Sequence, residues 1–365
     1  MKVPFVDLRK QYLNLREEID KEISEVLDSG QFILGDKVEN FERKFAEYCG
    51  AKYCLGVNSG TSALHLALLG CQIENDEVIT QPNTFFATAE AISYTGSKPV
   101  FVDVNPKNHC IDENEIKKAI TDKTKCIIPV HLYGNSADMD KILEIAKKNN
   151  LFIIEDACQG HGAEYKGRKL GSIGDVGCFS FYPAKVLGCF GEAGAVITNN
   201  EEIYERMKAL RDHGQVGKNN HNFLGYNYRM SGIQGAVLGV KIKYLDDFVQ
   251  KRRRAAKLYN DGLRNVVSVL SDDKLESSNF QYYVIECEKR DELKDYLVEN
   301  GVSTLIHYPV LIHLQEVFND YREGDFPVAE RLNKKILTLP MYPEIEEDQI
   351  NYIINLIKNF YARTN

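Results

Sequence analysis

The period of the apolar positions in this chain switches back and forth between residues 50 and 200. Short β-branched or aromatic runs, "EVIT" from 77, "KPVFVDV" from 98, "KCIIPV" from 125, "LFIIEDA" from 151, "VGCFSFY" from 176 and "GAVIT" from 194, alternate with longer segments. The latter include "TSALHLALLG", "FFATAEAISYTG" and "DMDKILEIAKKNN". The short runs have the length of strands, and the long ones carry helical spacing. Strands separated by such helices predict an α/β fold, a mostly parallel central sheet flanked by helices. Ligands of such sheets gather at the carboxyl ends of the strands.

Outside that region the pattern changes. Before residue 50 the spacing predicts two helices, the second, "GDKVENFERKFAEYCGA", capped by Asp36 and closed by Gly50. After a Gly- and Asn-rich loop, "DHGQVGKNNHNFLGYNYRM", helical spacing runs from about 231 to 264. "NFQYYVIEC" from 279 then reads as a strand, and "RDELKDYLVENG" from 290 as a helix stopped by Gly301. A chain of 365 residues exceeds one ordinary core and fits two domains of roughly 150 residues each. The boundary is set inside the long helical region, giving a large domain over 1–245, N-terminal helices included, and a smaller α+β domain over 246–365.

Composition narrows the class of partner. With 44% hydrophobic and 27% charged residues the chain is globular, and 45 basic against 53 acidic residues leave a charge of −8 that argues against nucleic acid. The basic run Lys251-Arg252-Arg253-Arg254 lies within helical spacing and is expected to be a solvated helix face. Nine cysteines form no CxxC pair and no even framework, which points to reduced thiols. The N-terminus lacks an apolar signal core, and no run of about eighteen apolar residues occurs. These features predict a soluble cytoplasmic protein without a membrane partner.

Three places carry chemistry. In "VNSGTSALHLALLG" a Ser-Gly-Thr turn enters a helix, so Gly60 and Thr61 either cap it in the ordinary way or hold a phosphate on its N–H groups. Asp156 ends the apolar run "FIIEDACQGHG", where a buried carboxylate needs a partner; it caps a following helix or meets a protonated ring nitrogen. Gln159 and His161 follow it closely. In "FSFYPAKVLGCFGEAGA", alternation puts Cys178, Ser180 and Tyr182 on one side of a strand and Phe179 and Phe181 on the other. Pro183 ends the pairing, and Lys185 at the exit is either a surface charge or an amine nucleophile. A phosphate cup, a carboxylate at a strand end, then a hydroxyl and a lysine on a later strand are the requirements of pyridoxal 5′-phosphate. Phe85 or Phe86, in "QPNTFFATAEA", would cover one face of its ring.

At this point the sequence resembles the nucleotide-sugar aminotransferases of DegT/StrS type, which have the fold-type I aminotransferase architecture. The stretches that carry the resemblance run almost end to end: "PFVDLRKQY", "GQFILG", "NSGTSALHLAL", "EVITQPNTFFATAEAI", "PVFVDV", "IIPVHLYGNSADMD", "IIEDACQGHGA", "FSFYPAK", "RDHGQ", "GYNYRMSGIQGAVL", "HYPVLIHLQ" and "LPMYPE". By position, the resemblance makes Lys185 the Schiff-base lysine, Asp156 the partner of the pyridinium nitrogen and Gln159 a neighbour of the pyridoxal hydroxyl. Gly60, Thr61 and Ser180 match the phosphate cup, and Phe85 the ring-stacking position. Asn227 matches an asparagine that reaches the cofactor of a neighbouring subunit, which implies a homodimer with shared active sites. His307 and Tyr308, with His161, Tyr182 and Lys218, match positions lining the sugar-nucleotide cleft.

The implied reaction is transamination of a nucleotide-linked keto sugar, dTDP- or UDP-linked, with glutamate as donor and no metal. "HYPVLIHLQ" and "GYNYRMSGIQGAVL" favour a 3-keto over a 4-keto substrate. A cofactor-binding regulator without turnover is the alternative. A nicotinamide oxidoreductase would need a GxGxxG turn after the first strand, and none is present. Two departures stand out: Gly191-Glu192-Ala193-Gly194 replaces the usual Gly-Asp-Gly-Gly, and Gln281 stands where many relatives carry His, which bears on the sugar pocket. Lys185 itself argues against the sugar-dehydrase branch, where histidine replaces it.

Overall fold

Seven strands form the central sheet of this computed structural model, which describes residues 1–217, 219–270 and 275–364. They are β1 (Tyr53–Val57), β2 (Glu77–Thr80), β3 (Lys98–Phe101), β4 (Thr124–Ile127), β5 (Phe152–Asp156), β8 (Val176–Ser180) and β9 (Gly194–Thr198). Between β5 and β8 lies a two-stranded hairpin, β6 (Glu164–Tyr165) and β7 (Arg168–Lys169). The order is β1-β9-β8-β5-β4-β2-β3, with β9 antiparallel to both neighbours and every other strand running one way. Each strand expected from alternation is present. β1 is additional: Gly56 interrupts its apolar run, and a Cβ there would meet Met230 Cε at 2.9 Å.

Helices cover the sheet because the sheet buries both faces. On one side pack α3 (Gly60–Gly70), α4 (Ala87–Tyr94) and α7 (Glu201–Arg211); α3 is apolar all round and almost wholly buried. α1 (Leu8–Ser29), α2 (Asp36–Cys49) and α8 (Gly232–Lys241) form a second core with Phe179 and Phe181, the outward side of β8 and its continuation. α5 (Glu113–Ala119) and α6 (Met139–Asn149) close the β4 side. Asp36 is not the cap of α2. Gly35, at φ 83°, takes that position, and Asp36 with Glu39 lies in the first turn, where acidic side chains favour the helix dipole.

The long helical region is divided by a 3₁₀ turn, Ile242–Tyr244, before α9 (Leu245–Leu263). Leu245, Phe248 and Val249 of α9 join the core of α1 and α2. Ala255, Ala256, Tyr259 and Leu263 instead join a core with α10 (Arg290–Glu299), α12 (Glu347–Thr364) and the three-stranded sheet β10 (Ser268–Val269), β11 (Tyr283–Glu286) and β12 (Ile336–Leu339). A short α11 (Pro327–Asn333) precedes β12.

The strand expected from 279 starts only at Tyr283, because Asn279 and Gln281 bond to backbone of the large domain and Tyr282 lines its cleft, while Phe280 between them, at φ 48°, packs into the smaller core. The basic run on α9 is also not a uniformly solvated face. Lys251 pairs with Asp247 at 2.7 Å in the open, whereas Arg252 is 2% exposed. Its Nη1 donates to the carbonyls of Phe280 and Met341, both at 3.0 Å, and burial pushes its guanidinium down to about 10. Among the described residues no helix is long and apolar enough to cross a membrane.

Candidate active site

Four strand ends meet at one edge of the sheet: β1 leads into α3, β2 into the turn before α4, β5 ends at Asp156, and β8 ends at Ser180. Together they line a cleft of about 530 Å³, closed on its far side by Tyr282, His307 and Tyr308. Gly60, Thr61, Phe85, Asp156, Gln159, Ser180, Tyr182 and Lys185 all line it. Among the described lining residues Lys185 is the only cation, and Asp156 and Glu192 are the carboxylates. No group of three or more potential metal ligands lies together among the described residues.

At the start of α3 neither Gly60 nor Thr61 is the cap. Ser59 is the cap: its Oγ accepts the Ser62 N–H at 3.0 Å. The N–H groups of Gly60 and Thr61 lie in the first turn, at the positive end of the helix dipole. Gly60 is required by contact, since a Cβ there would fall 2.7 Å from Ser180 Cβ and 3.1 Å from Cys158 Sγ. Backbone N–H groups and the Thr61 and Ser180 hydroxyls thus form a neutral cradle.

Asp156 is 4% exposed, and each of its carboxylate oxygens accepts one hydrogen bond. Its Oδ2 accepts from Thr88 Oγ1 at 2.7 Å and its Oδ1 from the Cys158 N–H at 3.2 Å. No helix begins after it, so it is not a helix cap. The preceding residue of β5, Glu155, points the other way. Burial pushes its carboxyl up, but His131 at 2.8 Å and the N–H groups of Gly174 and Gly171 outweigh this and hold it below the usual range. Gln159 is fixed on both ends of its amide: Oε1 accepts the Tyr133 N–H at 2.6 Å, and Nε2 donates to Tyr308 Oη at 3.2 Å.

On the opposite wall the His307 ring stacks on Tyr282 at 3.8 Å, with Nδ1 3.0 Å from Thr338 Oγ1. Burial, and then the charge of Lys185, push His307 down to about 3, so it lines the cleft as a neutral ring. Tyr308, pushed up by burial, remains a phenol beside Phe85, the ring centroids 5.5 Å apart. Phe85 and Tyr182 are both about half exposed, so each offers a face to a ligand. Phe86 instead packs toward Phe318 and is not among the lining residues.

Some positions are placed differently from expectation. His161 does not line the cleft: it is fully buried, 5.5 Å from the Phe179 ring and 5.6 Å from Phe181, and burial pushes it down to about 3. Its position in sequence, five residues after Asp156, carries it back under the sheet. Gln281 does not shape the pocket either; it is 2% exposed and bonds to backbone. Asn227 is exposed and outside this chain's cleft, its Oδ1 accepting from Arg229 Nε at 3.1 Å. Lys218 lies outside the described residues. Ala193 does not strain its loop, since its φ is negative, its methyl is buried and its carbonyl accepts the Phe181 N–H at 2.8 Å. The departure that reaches the cleft is Glu192. Thr88 and Tyr282 were missed by sequence reasoning; the available signal for Thr88 was a hydroxyl one helical turn beyond Phe85 on an otherwise apolar face.

Residues 13–358 match the DegT/DnrJ/EryC1/StrS aminotransferase family. The chain is 44% identical to the "Pleiotropic regulatory protein" of Geobacillus stearothermophilus, over 99% of each chain. It is 40% identical to the dTDP-3-amino-3,4,6-trideoxy-alpha-D-glucose transaminase of Streptomyces venezuelae, over 99% of this chain and 97% of that one. The crystal structure of S. venezuelae DesV in complex with a ketimine intermediate superposes with a TM-score of 0.96 at 40% identity, covering 98% of both chains. Motifs, sheet order and match across nearly the whole length therefore agree: the chain belongs to the DegT/DnrJ/EryC1/StrS aminotransferase family.

Proposed function

We propose that this protein binds pyridoxal 5′-phosphate in the cleft and transfers the amino group of glutamate to the keto carbon of a nucleotide-linked sugar, with a 3-keto sugar favoured. The observation that carries the reading is the convergence of Lys185, the doubly bonded Asp156 and the Gly60 cradle on one cleft. Gly60, Thr61 and Ser180 would hold the phosphate, Asp156 the ring nitrogen, Gln159 the hydroxyl side and Phe85 one ring face. When bound, the cofactor supplies the electron sink for a carbanion at the amino-bearing carbon.

The chain's own residues then have defined tasks. Lys185 Nζ takes the proton from the donor's α-carbon and, in the second half, returns one to the sugar carbon that receives nitrogen. Asp156, its two carboxylate oxygens fixed by Thr88 and the Cys158 N–H, would hold a protonated ring nitrogen as its charge partner. Tyr282, His307 and Tyr308 wall the cleft without adding charge. The S. venezuelae relative's name, a 3-amino sugar transaminase, supports the 3-keto assignment. Asn227, exposed and outside its own chain's cleft, supports a homodimer in which each chain completes its neighbour's site, and nine cysteines without a CxxC pair support a cytoplasmic setting.

The test is spectral and chemical. Yellow protein loaded with the cofactor should bleach on adding glutamate, then return to yellow with a 3-keto nucleotide sugar, giving a product in which the keto oxygen has been replaced by an amine, the change read by mass and its position by NMR. Lys185→Ala should abolish both changes, and full turnover in that variant would contradict the assignment. The name of the Geobacillus relative supports a second reading, a regulator that binds the cofactor without turning over. Colour that glutamate leaves unchanged would favour it.

A further inference from the structure

We propose that Gln281 is a positioning residue for Lys185, its side-chain amide clamping the two peptide groups that flank the lysine; this rests on the role given to Lys185 above. Gln281 Nε2 donates to the Ala184 carbonyl at 3.1 Å, and Oε1 accepts the Val186 N–H at 2.9 Å. One rigid planar group therefore grips the backbone on both sides of a single residue. The partners fix the orientation of the amide, since a carbonyl only accepts and an N–H only donates.

The lysine segment needs an outside hold. Residues 181–192 form an irregular loop after β8, and Pro183 contributes no N–H. Among its own backbone bonds are Lys185 N–H to Tyr182 and Cys189 N–H to Phe181, each 2.8 Å. Gln281 is itself held: its N–H donates to Asn279 Oδ1 at 2.8 Å, and its carbonyl accepts from buried Arg252 at 3.4 Å. Asn279 Nδ2 in turn donates to the carbonyls of Gln159 and His161, at 2.9 and 2.8 Å. Two residues preceding β11 thus set the positions of both Lys185 and Gln159. The clamp is far from decoration, because a misplacement of about 1 Å in a reacting group costs about 100-fold in rate.

The experiment compares Gln281→Leu, Gln281→Asn, Gln281→His and Lys185→Ala in the full chain loaded with pyridoxal phosphate. Readouts are kcat, KM for glutamate, thermal midpoint, and the yield of Lys185 tagged by the cofactor after borohydride reduction, read by peptide mass. Gln281→Leu, which loses both bonds, and Gln281→Asn, which falls one methylene short, should lower kcat by about 10- to 100-fold with KM nearly unchanged and lower the yield of tagged Lys185. Gln281→His, with one ring donor and one acceptor, should restore kcat to within about three-fold. If Gln281→Leu does not fold, the contrast between Gln281→Asn and Gln281→His decides. Wild-type kcat and tagging in Gln281→Asn, or equal loss in Gln281→His and Gln281→Asn, would overturn the clamp. Turnover surviving in Lys185→Ala would instead overturn the role of the lysine.

Discussion

Gly60→Ala adds one methyl group at the most crowded point of the cradle. Built on the existing backbone, that carbon lies 2.7 Å from Ser180 Cβ, 3.1 Å from Cys158 Sγ and 3.2 Å from Ser180 Cα, whereas ordinary contact begins at 3.4 Å. Something must move by about 0.7 Å, the gap between 2.7 and 3.4 Å. Ser180 cannot easily do so, because it closes β8 and pairs with Gly194 of β9. The first turn of α3 is the other candidate, and its N–H groups are the ones proposed to hold the phosphate. Overpacking of this kind costs about 1–3 kcal/mol. If that strain falls on the cofactor-bound geometry, the dissociation constant for pyridoxal phosphate rises by about 5- to 150-fold. Fluorescence titration of the apoprotein measures it, with a thermal melt as control for the fold. An affinity within two-fold of wild type would show that the cradle absorbs a methyl group and that Gly60 is not needed for close approach.

Three further outcomes follow from the same geometry. Thr88→Val keeps the shape but removes the hydroxyl from Asp156 Oδ2; a bond to a charged group is worth about 1.5–3 kcal/mol, so the glutamate half-reaction should slow by about 10- to 100-fold in stopped flow, and an unchanged rate would contradict it. His161 and His307 are held near 3, whereas an unfolded imidazole titrates near 6.5. The unfolded state therefore binds more protons between those values, and unfolding free energy should fall as pH drops through that window. Urea titrations should show a shallower acid limb in His161→Phe, and an identical slope would count against a buried neutral ring. Arg252→Met leaves the carbonyls of Phe280 and Met341 without their donor; at about 1–3 kcal/mol for each unpaired group, the urea midpoint should fall clearly, and an unmoved midpoint would refute the network.

Much of this was legible in the sequence because it is local. The runs at 77, 98, 125, 151, 176 and 194 state their own period, and the site residues sit at the ends of those runs, where an α/β sheet presents its ligands. What the sequence withholds is contact between distant segments. Nothing in "YCLGV" announces a strand that pairs with β9, and its glycine weakens the local signal. Arg252 looks like its neighbours until α9 is laid against residues 278–281. His161 matched a cleft position by resemblance and Gln281 stood out as a departure bearing on the sugar pocket, but one faces the core beneath β8 and the other grips backbone. Both directions depend on how two cores pack, a property that periodicity does not contain. The chemistry at Thr88 was hidden for the same reason, its partner being supplied by another strand.

The dependence of the lysine loop on residues 279–281 has a consequence for how the protein comes into being. Synthesis proceeds from the N-terminus, so β9 and every other strand of the large sheet leave the ribosome before Asn279, Gln281, Tyr282, His307 and Tyr308 exist. A polypeptide terminated in that interval carries Lys185 and Asp156 but neither the far wall of the cleft nor the grip on the backbone around the lysine. Completion of the active centre is thereby tied to completion of translation.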